Sequence, residues 1–485
     1  MSRTMTSPAE RKIVREALGP APGFREDFEQ SYGDGGAENV LVRGENLVAM
    51  QRLLAGGFAG RFRCIYLDPP YNSGRRFPEY DDALSPDAWR TMMAERLEVA
   101  RALLCDSGTL VVEIDDTELG SLETGLNAVF GRAQRLATVT LVRSAATGHK
   151  AINRGLVNVT DFLLLYAKDR SLWRGNALVR PRASYDRAYS SWLENHRESR
   201  ARWRIVPLRS HIRALLGRAP SLDEVARYAL EHAEQVVRFA QPRYDAVSLE
   251  ARALIDRSLR EPDQVLALAR PGRKDLVLRG GNRILFLSDK VANVEGRRVL
   301  VEPLTNLWDD IPFQGIAREG GVRFIRNKKP ERLLERILAL ATEPGEWVLD
   351  AFLGSGTTAA VALKMGRRWV GIESGPQVDT MCIPRLRRVV DGADPTGITR
   401  TAGWAGGGRF SCLDVTRRSR WYSSSCRAIG PTELRRRRTR QSRRIVSLGR
   451  PSAPRRPPSM SAGTLGGPRS CATNGGTQHG GVSTP

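Results

Sequence analysis

Six cysteines in 485 residues (Cys64, Cys105, Cys382, Cys412, Cys426 and Cys471) include no C-x-x-C pair, which excludes the common zinc and redox motifs. The five histidines (His149, His196, His211, His232 and His479) form no pair at helical ligand spacing, so no metal site is expected. No uninterrupted apolar run reaches the ~20 residues that a membrane helix needs. The polar start Met1–Arg11 lacks the apolar core of a signal peptide. These absences together predict a cytoplasmic chain with free thiols, no membrane partner and no disulfide framework. No repeat at solenoid spacing is present either. Acidic residues are in deficit: 53 Asp and Glu face 76 Lys and Arg, a formal charge of +23. An anionic partner is expected from that excess, and nucleic acid is the first candidate. The excess is uneven. From residue 411 onward the chain holds fifteen Arg, no Lys, and only Asp414 and Glu433 as acids.

What is present begins with Asp68-Pro69-Pro70-Tyr71. The apolar run Cys64-Ile65-Tyr66-Leu67 leads into it and Asn72-Ser73-Gly74 follows, the pattern of a buried strand and its loop. Asp68 is thereby predicted at the carboxyl end of a strand, where open α/β sheets bind ligands. The two prolines stiffen the loop and lack N–H groups, so carbonyls and the Asp oxygens make a rim rich in acceptors. Tyr71 adds a flat ring beside it. A rigid turn after a strand is the ordinary reading of such a tetrapeptide. A site for a flat group bearing an NH₂ is the functional one.

Around it, alternating strands and helices predict a doubly wound, mostly parallel sheet. Strands are expected near 38–43, 64–67, 108–114, 138–142, 162–166, 347–350 and 368–372. Ser85-Pro86 starts a helix with apolar residues at Trp89, Met93, Leu97, Ala100 and Leu104. Residues 1–35 read as a polar, loosely ordered lead-in. Residues 36–170 and 306–410 read as two halves of one α/β domain. The stretch 171–305, laced with Arg197, Arg200, Arg202 and Arg204 and with Trp192, Trp203 and Tyr228, reads as a basic, partly helical insert. Either it is a solvated appendage or it contacts DNA through phosphates and base edges. Residues 411–485, with the run Arg435 to Arg438, read as a disordered or aberrant tail.

The downstream half carries a second motif. Asp350 ends one strand and Glu373 the next, with a glycine-bearing turn, Phe352-Leu353-Gly354-Ser355-Gly356, and Thr357 between them. A backbone that approaches a ligand at a helix start, followed by an acid for ribose hydroxyls, resembles a dinucleotide fingerprint. The full G-x-G-x-x-G is absent, since Ala359 stands where the last glycine would be.

Taken with Asp68 to Tyr71, the string Asp350-Ala351-Phe352-Leu353-Gly354-Ser355-Gly356-Thr357-Thr358 resembles the amino-methylating DNA methyltransferases that use S-adenosyl-L-methionine. Catalytic loop first and cofactor loop last resembles their beta class, a circular permutation of a Rossmann-like sheet with a target-recognition insert between the motifs. The segments 67–74, 112–116, 327–334, 386–390 and 402–410 look like modification subunits of type III restriction systems. The resemblance covers roughly 38–170 and 305–410. The family usually continues in ordinary globular sequence where this chain turns Arg-rich.

The resemblance implies methyl transfer to the N6 amino group of an adenine flipped out of double-stranded DNA. It implies Asp68, Pro69, Pro70 and Tyr71 as the catalytic loop. It implies Asp350, Phe352, Gly354, Ser355, Gly356, Thr357 and Glu373 around the cofactor, and Glu45 and Asn46 near it from the neighbouring strand. Lys328, Lys329 and Pro330 either border the cofactor or make an ordinary helix start. The partners implied are duplex DNA, a nuclease-helicase restriction subunit and a second copy of the chain. The rivals are cytosine-N4 methylation, a non-catalytic DNA specificity subunit, and a methyltransferase of RNA or small molecules.

Overall fold

The segment Phe62–Leu67 is buried along its whole length, as a strand covered on both faces must be. It lies inside a ten-stranded sheet in the computed structural model, which describes residues 24–35, 38–76, 81–145, 155–294, 296–324 and 327–415. In chain order the sheet strands are β1 (Phe24–Tyr32), β2 (Glu38–Arg43), β3 (Phe62–Leu67), β4 (Leu104–Ile114) and β5 (Arg135–Val142). They continue with β6 (Thr160–Ala167), β7 (Leu307–Trp308), β8 (Trp347–Asp350), β9 (Arg368–Glu373) and β10 (Arg409–Val415). Their spatial order is β1-β10-β2-β9-β8-β3-β4-β6-β5-β7. The run from β10 to β4 is parallel throughout, while β6 and β1 run antiparallel to their neighbours.

Helices cover both faces. On one lie α1 (Asn46–Leu53), α2 (Pro86–Leu103) and α3 (Leu119–Phe130), which bury Met50, Trp89, Leu97 and Leu126 against β3 and β4. On the other lie α4 (Glu331–Ala341), α5 (Thr357–Lys364) and α6 (Ile383–Val390), with Leu334, Ile337, Val361 and Leu386 in the core. Each fully buried Leu, Ile or Met contributes about 1.5–3 kcal/mol. The starts of these helices follow from local chemistry. Ser85 accepts the Ala88 N–H at 3.2 Å with Pro86 in the first turn, and the Glu45 carboxylate accepts the N–H groups of Leu47 and Val48.

Chain order and spatial order differ in the middle of the sheet. The late strands β8 and β9 sit between the early strands β2 and β3. Asp350 therefore pairs in register with Tyr66, two residues before Asp68, and Glu373 pairs with Arg43, two residues before Glu45. Turns almost three hundred residues apart in sequence become neighbours along one carboxyl edge.

Two boundaries differ from expectation. The expected lead-in through residue 35 contains β1, and the expected tail from 411 begins with the last five residues of β10. These two strands pair with each other, Phe24 opposite Val415 and Tyr32 opposite Phe410. A polar edge strand carries no continuous apolar run, which is why its periodicity went unseen. The Arg435 to Arg438 run lies outside the described residues. The insert is more sheet than helix. It has a six-stranded antiparallel sheet beside helices Leu208–Leu216, Leu222–Glu231 and Leu249–Arg260. Its Trp192 is buried beside His211 and Tyr228, and Arg200, Arg202 and Arg204 pair with Asp275, Glu198 and Glu194. Among the described residues no helix is long and apolar enough to cross a membrane, and no group of three His, Cys, Asp or Glu is arranged for a metal ion.

Candidate active site

The carboxyl edge of β2, β9, β8 and β3 opens into a cavity of about 360 Å³, within the usual range for small-molecule sites. Asp68, Pro69, Pro70 and Tyr71 line it from one side. Asp350, Phe352, Gly354, Ser355, Thr357 and Glu373 line it from the other, and Glu45 and Asn46 close the end near β2. Gly356 is not in the wall. It caps α5 at φ +81°, a backbone conformation that side chains disfavour, so its role is conformational.

The glycine turn is held from below by the acid that ends β9. One Glu373 oxygen accepts the Gly354 N–H at 2.8 Å. The other accepts Ser374 N–H at 2.8 Å, Gly375 N–H at 3.0 Å and Gln377 Nε2 at 2.9 Å. A carboxylate offers about four acceptor directions, so the first oxygen keeps room for a further donor. Gln377 Oε1 faces the same region buried and without a hydrogen-bond partner, an acceptor awaiting a donor. Asp350 accepts the Phe352 N–H at 2.9 Å and so shapes the turn. Burial pushes Asp350 up to about 7, against the hydrogen bonds from Thr358 and Phe352 that favour its ionised form. Asn46 donates to the Ala351 carbonyl at 2.8 Å, and the Arg96 guanidinium bridges Asn46 and Glu45.

At the other end, Asp68 lies at the end of β3 with Lys329 Nζ 2.9 Å from Oδ1. The same ammonium is 2.9 Å from Glu113 Oε1 and donates to the Tyr71 hydroxyl oxygen at 2.7 Å. Glu113 is fully buried and its other oxygen accepts the Tyr66 hydroxyl. Burial pushes Asp68 up to about 7; Lys329 opposes that shift and Glu113 adds to it. The carboxylates around Lys329 raise its ammonium above the usual lysine range despite burial. The Pro70 carbonyl is turned away, accepting the Trp89 indole N–H at 2.7 Å, so the rim of acceptors narrows to Asp68 and Pro69. Asn72, at φ +60°, and Ser73 are tied to Asp82, which fixes the rest of the loop.

Of the lysine pair, only Lys329 enters the site. Lys328 points into the carbonyls of Ala317, Glu319 and Val322 and holds a loop. Sequence reasoning assigned no role to Glu113, Tyr66, Arg96 or Gln377. An acid inside the apolar run of β4 was the signal available for Glu113, because a buried carboxylate requires a partner.

The DNA methylase family of N6/N4 type matches residues 62–381, about two thirds of the chain. This chain belongs to that family. Its relatives include the "Probable type III restriction-modification enzyme HindVI Mod subunit" of Haemophilus influenzae. That protein is 29% identical over 409 residues, covering 77% of this chain and 53% of the relative. Another is the type II methyltransferase M.EcaI of Enterobacter cloacae, 25% identical over 351 residues, covering 69% and 66%. The chain spans about half the length of the type III relatives it matches. Among solved structures, the M1.HpyAVI complex with SAM aligns over 72% of this chain and 98% of that chain at 12% identity and a TM-score of 0.36.

Proposed function

We infer that this methylase transfers a methyl group from S-adenosyl-L-methionine to the N6 amino group of an adenine flipped out of duplex DNA. One observation carries the reading: a single cavity is walled by the Asp68-to-Tyr71 loop and by the turn between Asp350 and Glu373. The residues present fit the cofactor. Glu373 has accepting capacity left for ribose hydroxyls, Gln377 Oε1 needs a donor, and Phe352 offers an apolar ring. When bound, the cofactor supplies a methyl group already activated on a sulfonium.

The remaining chemistry belongs to the chain. An aromatic amine is a poor nucleophile because its lone pair is delocalised into the ring. The Asp68 carboxylate and the Pro69 carbonyl accept its two hydrogens and draw the nitrogen towards a tetrahedral geometry. Asp68 then takes the proton that becomes acidic as the new N–C bond forms. Tyr71 stacks on the extruded base and offsets part of the flipping cost of about a few kcal/mol.

The insert at 171–305 supplies DNA contacts in this reading, and its unpaired surface arginines anchor phosphates. Because relatives are named Mod subunits, the chain serves as the modification part of a restriction-modification system, with a separate nuclease-helicase subunit as partner. Asp68→Ala should abolish labelled methyl transfer to DNA while cofactor binding by calorimetry persists. Near-normal transfer from that variant refutes the assigned role. Mass analysis of the methylated nucleoside decides between N6-methyladenine, expected here, and N4-methylcytosine.

A further inference from the structure

In the structure, all three protons of the Lys329 ammonium are committed: to Asp68 Oδ1 and Glu113 Oε1 at 2.9 Å each, and to the Tyr71 oxygen at 2.7 Å. Nζ lies 4.9 Å from the Tyr71 ring centroid, out beyond the hydroxyl, so it holds the ring by its polar edge and leaves the face open. Asp68 and the Tyr71 ring are the two features that the proposed reaction assigns to the amine hydrogen and to the base plane. One cation therefore holds, before any base arrives, the Asp68 oxygen that the amine must reach, and fixes the Tyr71 ring by its hydroxyl.

The surroundings give that cation somewhere to go. Lys329, Tyr71 and Asn327 form a partition between the cofactor cavity and a second cavity of about 690 Å³. Asp115 and Asp161 stand in the far wall, and Asp161 is buried with Arg143 at 3.2 Å. Glu113 is fully buried and anchored by Tyr66, so it stays in place. A lysine carries its charge as a point on a flexible four-carbon stem, which an arginine fork does not.

We propose that Lys329 is a positioning residue that exchanges with the target base. Without the base its ammonium pins Asp68 and Tyr71. On base entry it withdraws onto Glu113 towards Asp161 and yields Asp68 Oδ1 to the exocyclic amine. One N–H···O bond replaces another and no covalent bond changes. The proposal rests on the reading of Asp68 as the amine's acceptor.

The charge balance makes this testable. Asp68 at the end of β3, Glu113 in β4, Asp161 in β6 and Asp350 at the end of β8 all act on this ammonium or on one another. Tyr66, Tyr71, Asp115, Arg143 and Glu373 are the further titratable groups facing them. With the cation removed, the Glu113 charge acts on Asp68 unopposed across a buried gap and favours its protonated form. A protonated Asp68 has become a donor at the oxygen that must accept.

Single-turnover transfer from tritiated S-adenosyl-L-methionine to unmodified genomic duplex DNA should be followed across pH for the full chain. Lys329→Met should slow transfer at pH 7 by about tenfold or more and move the acid limb of the profile upward by about one pH unit or more. Adding Glu113→Gln should return the limb towards its original position, a rescue that a merely structural role does not give. Glu113→Gln alone should move the limb downward, which keeps the test available should Lys329→Met fail to fold. Cofactor affinity by calorimetry should stay within about twofold throughout.

Superimposable profiles, or additive damage in the double variant, overturn the exchange. Asp68→Ala separates the two readings. Transfer surviving in that variant overturns the role of Asp68 itself. A silent Asp68→Ala beside an unmoved Lys329→Met or Glu113→Gln profile overturns only the exchange.

Discussion

Replacing Glu373 by Gln changes one atom and leaves the shape of the cofactor edge intact, so its effect isolates hydrogen bonding. The carboxylate accepts four N–H groups, one from Gly354 on one oxygen and three from Ser374, Gly375 and Gln377 on the other. An amide has one accepting oxygen, and its NH₂ must face either the single donor or the cluster of three. The less costly orientation points NH₂ at Gly354, so that N–H loses its acceptor and the other three bonds lose their charge. Leaving one buried donor unpaired costs about 1–3 kcal/mol, and replacing a charged acceptor by a neutral one costs a fraction of that per bond. The glycine turn also loses the acceptor proposed for the ribose. Those four bonds exist without the cofactor and so weigh on the fold; the lost charged acceptor for the ribose, about 1.5–3 kcal/mol, corresponds to a roughly 13- to 160-fold rise in the Kd for S-adenosyl-L-methionine. Isothermal titration calorimetry on the full chain measures it, with Asp68→Ala as the variant whose cofactor affinity should not move. A Kd within about threefold of wild type, in a protein with an unchanged thermal transition, refutes the reasoning.

Two further outcomes are expected. Asp68, whose pKa burial pushes up to about 7, must be ionised to accept the amine hydrogens. Activity is therefore present above that value and lost as pH falls through it, so kcat/KM for DNA should decline about tenfold per pH unit below it. A flat profile between about pH 8 and pH 5.5 contradicts the assignment. Lys364 is fully buried between Glu331, at 2.8 Å, and Asp394, at 2.6 Å, and Arg385 reaches the same Glu331 while donating to Thr357 of the cofactor turn. Lys364→Met leaves the buried Asp394 without a cation and Glu331 with Arg385 alone, and should lower the unfolding free energy by about 3–5 kcal/mol in urea titrations; a loss under about 1 kcal/mol contradicts it.

Much of the core and of the site was legible because the signals are local. The apolar run before Asp68 and the Ser85-Pro86 helix start each depend on a few adjacent residues, and each forms. The edge strand β1 was not legible, since its alternation is largely polar and its partner, β10, lies at the far end of the chain. Within the insert, Trp192 and Trp203 lie among arginines in the sequence, but Trp192 packs in the core and Trp203 packs edge-on against Phe286. Composition cannot tell a surface aromatic from a buried one.

The sequence by itself determined the chemistry present: an acid, two prolines and a tyrosine after one strand, and a glycine turn between two acids after others. Backbone stiffness, acceptor count and φ requirements travel with residue type, so they are readable in one dimension. Only the tertiary structure decided that these two motifs share a cavity, because β8 and β9 insert between β2 and β3 and bring Asp350 and Glu373 alongside Asp68 and Glu45. It also decided which lysine matters. Lys328 and Lys329 are adjacent and chemically identical, yet one caps loop carbonyls and the other sits among Asp68, Tyr71 and Glu113. Successive residues in an extended segment point to opposite sides, and which side faces the site is set by strands that lie more than two hundred residues away.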